Sequence, residues 1–255
     1  MKVVWVLAKN TYLEIIRDRI LYALLVFALL LIGLSLILGE LSFAEQARIS
    51  ANFGFSAIHL SMVILSVFVG STLVAREVDK KTILTLLTRS ISRSEFLLGK
   101  CLGLTMVTLT VVTGLALVLI GIFIALKVTM TVQFGIAFLG VLLESFVLLG
   151  MTIFFGSFAS PMMAVAFSIG VFLIGHWLND LAFFAKKSED SAFLLFSDFV
   201  GTVLPNLEKF NWRSAVIYNE VIGFREVFAA IVYSLAWFVL FIALTSWVFR
   251  RKDFA

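Results

Sequence analysis

Few residues of this chain are suited to chemistry, and they interrupt long apolar runs. Glu144 is the one charged residue between Val128 and Gly175. An ionisable group inside such a run is costly. By default it points to function, or to a carboxyl group hydrogen-bonded to a neighbouring helix. His59 falls near the outer end of a second apolar run, and His176 with Asp180 near the outer end of a fifth. Glu144, His59, His176 and Asp180 are therefore the candidates for a substrate path or an intramembrane polar site. The two histidines and Asp180 read either as a polar vestibule or as interfacial hydrogen-bonding groups.

Other chemistries find no support. Two histidines and one cysteine, far apart in sequence, give no metal-ligand spacing, so no metal site is expected. No G-x-x-x-x-G-K-[ST] loop is present to cradle nucleotide phosphates. Gly70-Ser71 and Gly156-Ser157 are too unspecific for an intramembrane serine protease. The chain reads as not an enzyme, with no catalytic residue and no cofactor of its own.

A different signal lies between Arg76 and Lys100. Thr82-Ile83-Leu84-Thr85-Leu86-Leu87 is a compact apolar patch between two charged clusters, Arg76-Glu77-Val78-Asp79-Lys80-Lys81 and Arg89-Ser90-Ile91-Ser92-Arg93-Ser94-Glu95. An apolar patch with a charged rim usually docks a partner.

The elements that must position these residues follow from composition. The 255 residues are 62% hydrophobic and 14% charged, whereas soluble domains carry about a quarter charged residues. The apolar residues come in runs of about 20, long enough to cross a hydrocarbon layer. Uniform apolarity excludes an outer-membrane barrel, whose strands alternate. The net charge of +4 belongs to residues flanking these runs, so it reports membrane topology and not nucleic-acid binding. The N-terminal run is broken by Lys9 and Asn10, which argues against a cleavable signal.

The expected fold is all-α: a single polytopic transmembrane domain over residues 1–255, with six transmembrane helices. An interfacial amphipathic helix covers 2–16, with Val4, Leu7, Ala8, Thr11 and Ile15 on its apolar face. Spans follow at about 20–39, 55–75, 96–126, 134–155, 162–183 and 227–249, with a cytoplasmic segment at 76–95 and an outer loop at 184–226. Glu40 to Asn52 is expected as a short polar linker. Ser92 with Glu95 has the form of a capping box that starts the third span. The first turns of that helix, with Lys100, are expected to project into the cytoplasm or snorkel. Gly156 to Pro161 marks the turn between the fourth and fifth spans. In the outer loop, Ala192, Leu195, Phe196, Phe199 and Val203 share one helical face, as in a helix resting on the outer leaflet. Most of the Lys and Arg residues fall on the side of the N-terminus, which predicts both termini in the cytoplasm.

Three stretches resemble the permeases of type-2 ABC transporters (the ABC-2 family), and in particular the six-span subgroup that includes the nitrous-oxide reductase maturation permease. They are Ala75 to Arg93, Pro205-Asn206-Leu207-Glu208-Lys209-Phe210-Asn211, and Phe249-Arg250-Arg251-Lys252-Asp253-Phe254. The resemblance spans the whole chain. It implies a homodimer, or a heterodimer with a similar subunit, in a prokaryotic plasma (inner) membrane. Two copies of a cytoplasmic P-loop ABC ATPase, holding ATP and Mg²⁺, would bind it. The loop from Thr82 to Glu95 would be the coupling helix. Ile83, Leu86 and Leu87 would form its apolar plug, and Arg76, Glu77, Arg89, Arg93 and Glu95 its polar rim. A secondary transporter or channel, and a non-transporting membrane assembly factor, are the alternatives.

Overall fold

A computed structural model describes residues 2–40, 46–72, 92–128, 130–188, 190–218 and 220–251. Among these residues there are helices and turns and no strand. Helix α1 is Lys2–Ile16 and α2 is Arg19–Glu40. Helix α3, Gln46–Ile64, runs on through a π-turn at Leu65–Val69. Then come α4 (Arg93–Ala125), α5 (Val132–Gly156) and α6 (Pro161–Ser188). A short α7 (Ser191–Val203), a 3₁₀ turn (Leu207–Phe210) and α8 (Arg213–Tyr218) lead into α9 (Phe224–Arg251). Among the described residues, six helices are long and apolar enough to cross a membrane: α2, Arg48–Thr72 within and beyond α3, α4, α5, α6 and α9. The chain is thus an all-α polytopic membrane protein.

Local sequence explains the boundaries. Ser92 accepts the Glu95 backbone N–H while the Glu95 carboxylate accepts the Ser92 N–H, closing the expected capping box at the head of α4. Such a cap stabilises a helix by about 1 kcal/mol. α5 stops at Gly156 and α6 starts at Pro161, where a missing N–H costs nothing because the first turn has no acceptor for it. α3 starts at Gln46, so much of the linker expected from Glu40 to Asn52 is helix.

The helices sit at unequal depth in the bundle. The most apolar stretches of α5 and α3 are 78% and 67% buried, against 22% for α2, 22% for α6 and 17% for α9. α5 is therefore the axis, with α3, α6 and α9 around it. A phenylalanine cluster fills one flank of the core: the Phe55 ring lies 4.7 Å from that of Phe138, and the Phe123 ring 5.2 Å from that of Phe134.

α1 changes one expectation. Its face of Ala8, Thr11 and Ile15 is buried against the head of α4, not in lipid headgroups alone. Gly99 and Gly103 open the way: a Cβ on Gly103 would stand 2.6 Å from Thr11 Cβ and 2.7 Å from the Ala8 carbonyl oxygen. Small residues four apart let two helix backbones approach in this way. Lys100, between those glycines, consequently does not project freely. It is 7% exposed, and its ammonium reaches out from under α1 to Glu14, 3.5 Å away. The sequence expectation missed this because it treated the two helices as independent.

α7 carries Leu195, Phe196, Phe199 and Val203 on an exposed face and buries Ser197, the disposition expected of a helix lying on an apolar surface.

Candidate functional site

Glu144 lies near the middle of α5, and its side chain is 3% exposed. His59 from α3 places Nε2 at 2.9 Å from both carboxylate oxygens. His176 from α6 places Nε2 at 3.5 Å from Oε1. Three helices thus each contribute one side chain to a single polar cluster. The histidine rings lie 5.8 Å apart, and Phe172 covers both, with its centroid 4.6 Å from that of His176 and 6.0 Å from that of His59.

One sequence expectation changes here. His59 and His176 do not form a vestibule apart from Glu144; they reach its carboxylate. α3, α5 and α6 cross the bundle side by side, so residues near the middle of each share one level although far apart in sequence. For the same reason the search by ligand spacing missed a cluster whose donor atoms all lie within 4.8 Å of one another. Asp180, one turn further along α6, is exposed and outside the cluster.

A lone carboxylate in an apolar interior is strongly disfavoured. Two imidazoles within reach remove that difficulty, because His59 can offer an N–H and both rings can share a cation with the carboxylate. The cluster can hold protons in common or bind a metal ion through His59, Glu144 and His176.

The Pro205–Asn211 stretch singled out by sequence closes one end of the site. Leu207 and Phe210 are fully buried. A Cβ on Gly175, next to His176, would stand 2.8 Å from the Pro205 carbonyl oxygen. A Cβ on Gly140, one turn before Glu144, would overlap the Phe210 carbonyl oxygen. Arg213 donates to Ser56, one turn before His59, at 3.1 Å. Asn206 donates to Asn179 on α6, and its backbone N–H donates to the Tyr233 hydroxyl on α9, each at 2.8 Å. Together with Arg213 the stretch forms a plug, Pro205–Arg213, seated on all three cluster-bearing helices and latched to α9. In sequence, the buried glycines that receive it carry no mark that distinguishes them from other glycines.

At the opposite end, Arg93 donates to the Phe249 carbonyl oxygen at 2.8 Å, bracing the last turn of α9, and Glu95 caps α4. Arg76, Glu77, Ile83, Leu86, Leu87 and Arg89 lie outside the described residues.

The family model described as ABC-2 family transporter protein matches residues 5–254, nearly the whole chain. The chain belongs to the ABC-2 family. Membership makes it a membrane transport component of an ABC transporter, in a family that is not itself catalytic and that associates with a cytoplasmic ABC ATPase. A comparison with curated proteins returns no match.

Proposed function

We propose that this ABC-2 permease couples ATP hydrolysis on two copies of a separate cytoplasmic ATPase to export, or to work on the far side of the membrane. It does so as a dimer of permease subunits, with both termini in the cytoplasm of a prokaryotic cell. The observation that carries the reading is the family match over residues 5–254 on a chain of six membrane-long helices. The sequence holds no phosphate-cradling loop of its own, so nucleotide chemistry falls to the partner.

In this reading the apolar residues Ile83, Leu86 and Leu87 enter a groove on the ATPase, and Arg76, Glu77, Arg89, Arg93 and Glu95 rim the contact. The positions described nearby support a stiff transmission path. Ser92–Glu95 fixes where α4 begins, α1 clasps its head, and Arg93 ties it to the end of α9. A push on the loop would therefore reach α4 and α9 together. For ATP to do work through this path, the two end states must differ in affinity for nucleotide or cargo.

Co-expression with the neighbouring genes, followed by extraction in mild detergent, tests the reading. A P-loop ATPase is expected to co-purify in stoichiometric amount. Leu86→Asp is expected to abolish that recruitment while leaving membrane insertion intact. Recovery of the folded chain without an ATPase would favour a self-sufficient secondary transporter, the alternative to which the buried His59–Glu144–His176 cluster lends weight. Unchanged recruitment in Leu86→Asp would remove the docking role of the apolar patch.

A further inference from the structure

One atom of the buried cluster lacks a partner. His176 Nε2 is buried and makes no hydrogen bond, although it faces a carboxylate oxygen. The reason lies across the ring. Nδ1 is 3.1 Å from the Phe172 carbonyl oxygen, which can only accept, so Nδ1 carries the hydrogen. In the neutral ring Nε2 then aims a bare lone pair at Glu144. Two acceptors facing each other in an apolar interior repel unless a positive species joins them.

A metal-ligating histidine has this same arrangement, with one nitrogen held by a backbone carbonyl and the other aimed at the ion. Distances agree. Ligand atoms about 2.1 Å from a tetrahedral ion lie about 3.4 Å from one another, close to the 3.5 Å between His176 Nε2 and Glu144 Oε1. His59 Nε2 is 2.9 Å from the carboxylate, and all three donor groups lie within 4.8 Å of one another, so side-chain adjustment alone brings His59 to its own corner.

We propose that His59 Nε2, His176 Nε2 and the Glu144 carboxylate bind one divalent transition-metal ion of the zinc class. Two imidazoles and a carboxylate select such an ion over Mg²⁺ or Ca²⁺, which take oxygen ligands. Three protein ligands leave a fourth position for water or a small anion. Because the ligands come from α3, α5 and α6, the ion ties three membrane-spanning helices together at mid-length. The Pro205–Arg213 plug closes over one end of the site. The site does not depend on the identity of the ATPase or the cargo.

The test exploits composition. The chain has two histidines, and both are in the cluster. The full chain, purified in detergent through a tag without histidine and labelled with ¹⁵N-histidine, gives NMR signals from those two side chains alone. After chelator treatment it is titrated with Zn²⁺. One bound ion per chain by elemental analysis is expected, with both Nε2 resonances shifting and the His176 Nδ1–H retained. Glu144→Gln, checked for a monodisperse fold, is expected to weaken binding by at least about tenfold. The proposal fails if the wild-type chain binds no more zinc than the His59→Asn/His176→Asn double variant. It also fails if both Nε2 signals are unmoved by zinc, which would make the cluster a proton-sharing contact. The wild-type titration decides the matter even if a variant does not fold.

Discussion

Helices α5 and α9 are both apolar enough to cross a membrane, yet 78% of one and 17% of the other is buried in the most apolar stretch. Apolar content does not separate them because lipid is as apolar as a protein core. The difference lies in which residues are buried. α5 buries Gly140, Glu144, Ser145, Gly150, Thr152 and Gly156, small or polar groups that permit close approach or make contacts across helices. α9 exposes Phe228, Val232, Leu235, Val239, Leu240 and Trp247, and keeps a narrow stripe of Ala230, Ser234, Phe241, Thr245 and Phe249 for its neighbours. Ser234 on that stripe donates to the Leu143 carbonyl oxygen of α5 at 2.8 Å. Within a membrane, helix association rests on such packing and hydrogen bonding, not on the hydrophobic effect.

Substitutions can break or sharpen this contrast. The largest effect is expected from Gly140→Leu, which drives a side chain into the Phe210 carbonyl and unseats the plug. A loss of about 3 kcal/mol, read by thermal unfolding in detergent, should come with faster proteolysis near Lys209. A neutral result would mean that α5 owes nothing to its small residues. Next is Gly103→Val, which pushes α1 off the head of α4 at about 2 kcal/mol. Trypsin cleavage at Arg17 and Arg19 should accelerate, and an unchanged rate would refute the clasp. The smallest effect belongs to Val239→Leu on the exposed side of α9, expected to stay within about 0.5 kcal/mol. A clear loss there would show that protein, such as a second permease subunit, covers this face.

Much of the fold could be read from the sequence because its signals are local. Length of apolar run, a Ser92–Glu95 capping box and a Gly–Ser–Pro turn each act within a few residues. The site could be read only in part. Glu144, His59, His176 and Asp180 stood out by type, but their grouping depends on the depth each reaches when helices alternate in direction. Assigning equal depth to the midpoints of the second, fourth and fifth spans would have brought His59, Glu144 and His176 together and left Asp180 aside. The seat of the plug was harder to foresee. It depends on missing side chains at Gly140 and Gly175, and on pairings between Asn206 and Asn179, and between Arg213 and Ser56, that no periodicity encodes.

The latch on the plug also bears on how the protein is made. Asn206 donates its backbone N–H to Tyr233, a residue of the last helix whose ring also meets Phe210 and Lys209, whereas the rest of the seat described above is on α3, α5 and α6. As the chain emerges from the ribosome, the plug can therefore rest on the earlier helices but cannot be latched until α9 has entered the membrane. Insertion of the final helix is thus the step that completes the seal over the polar cluster.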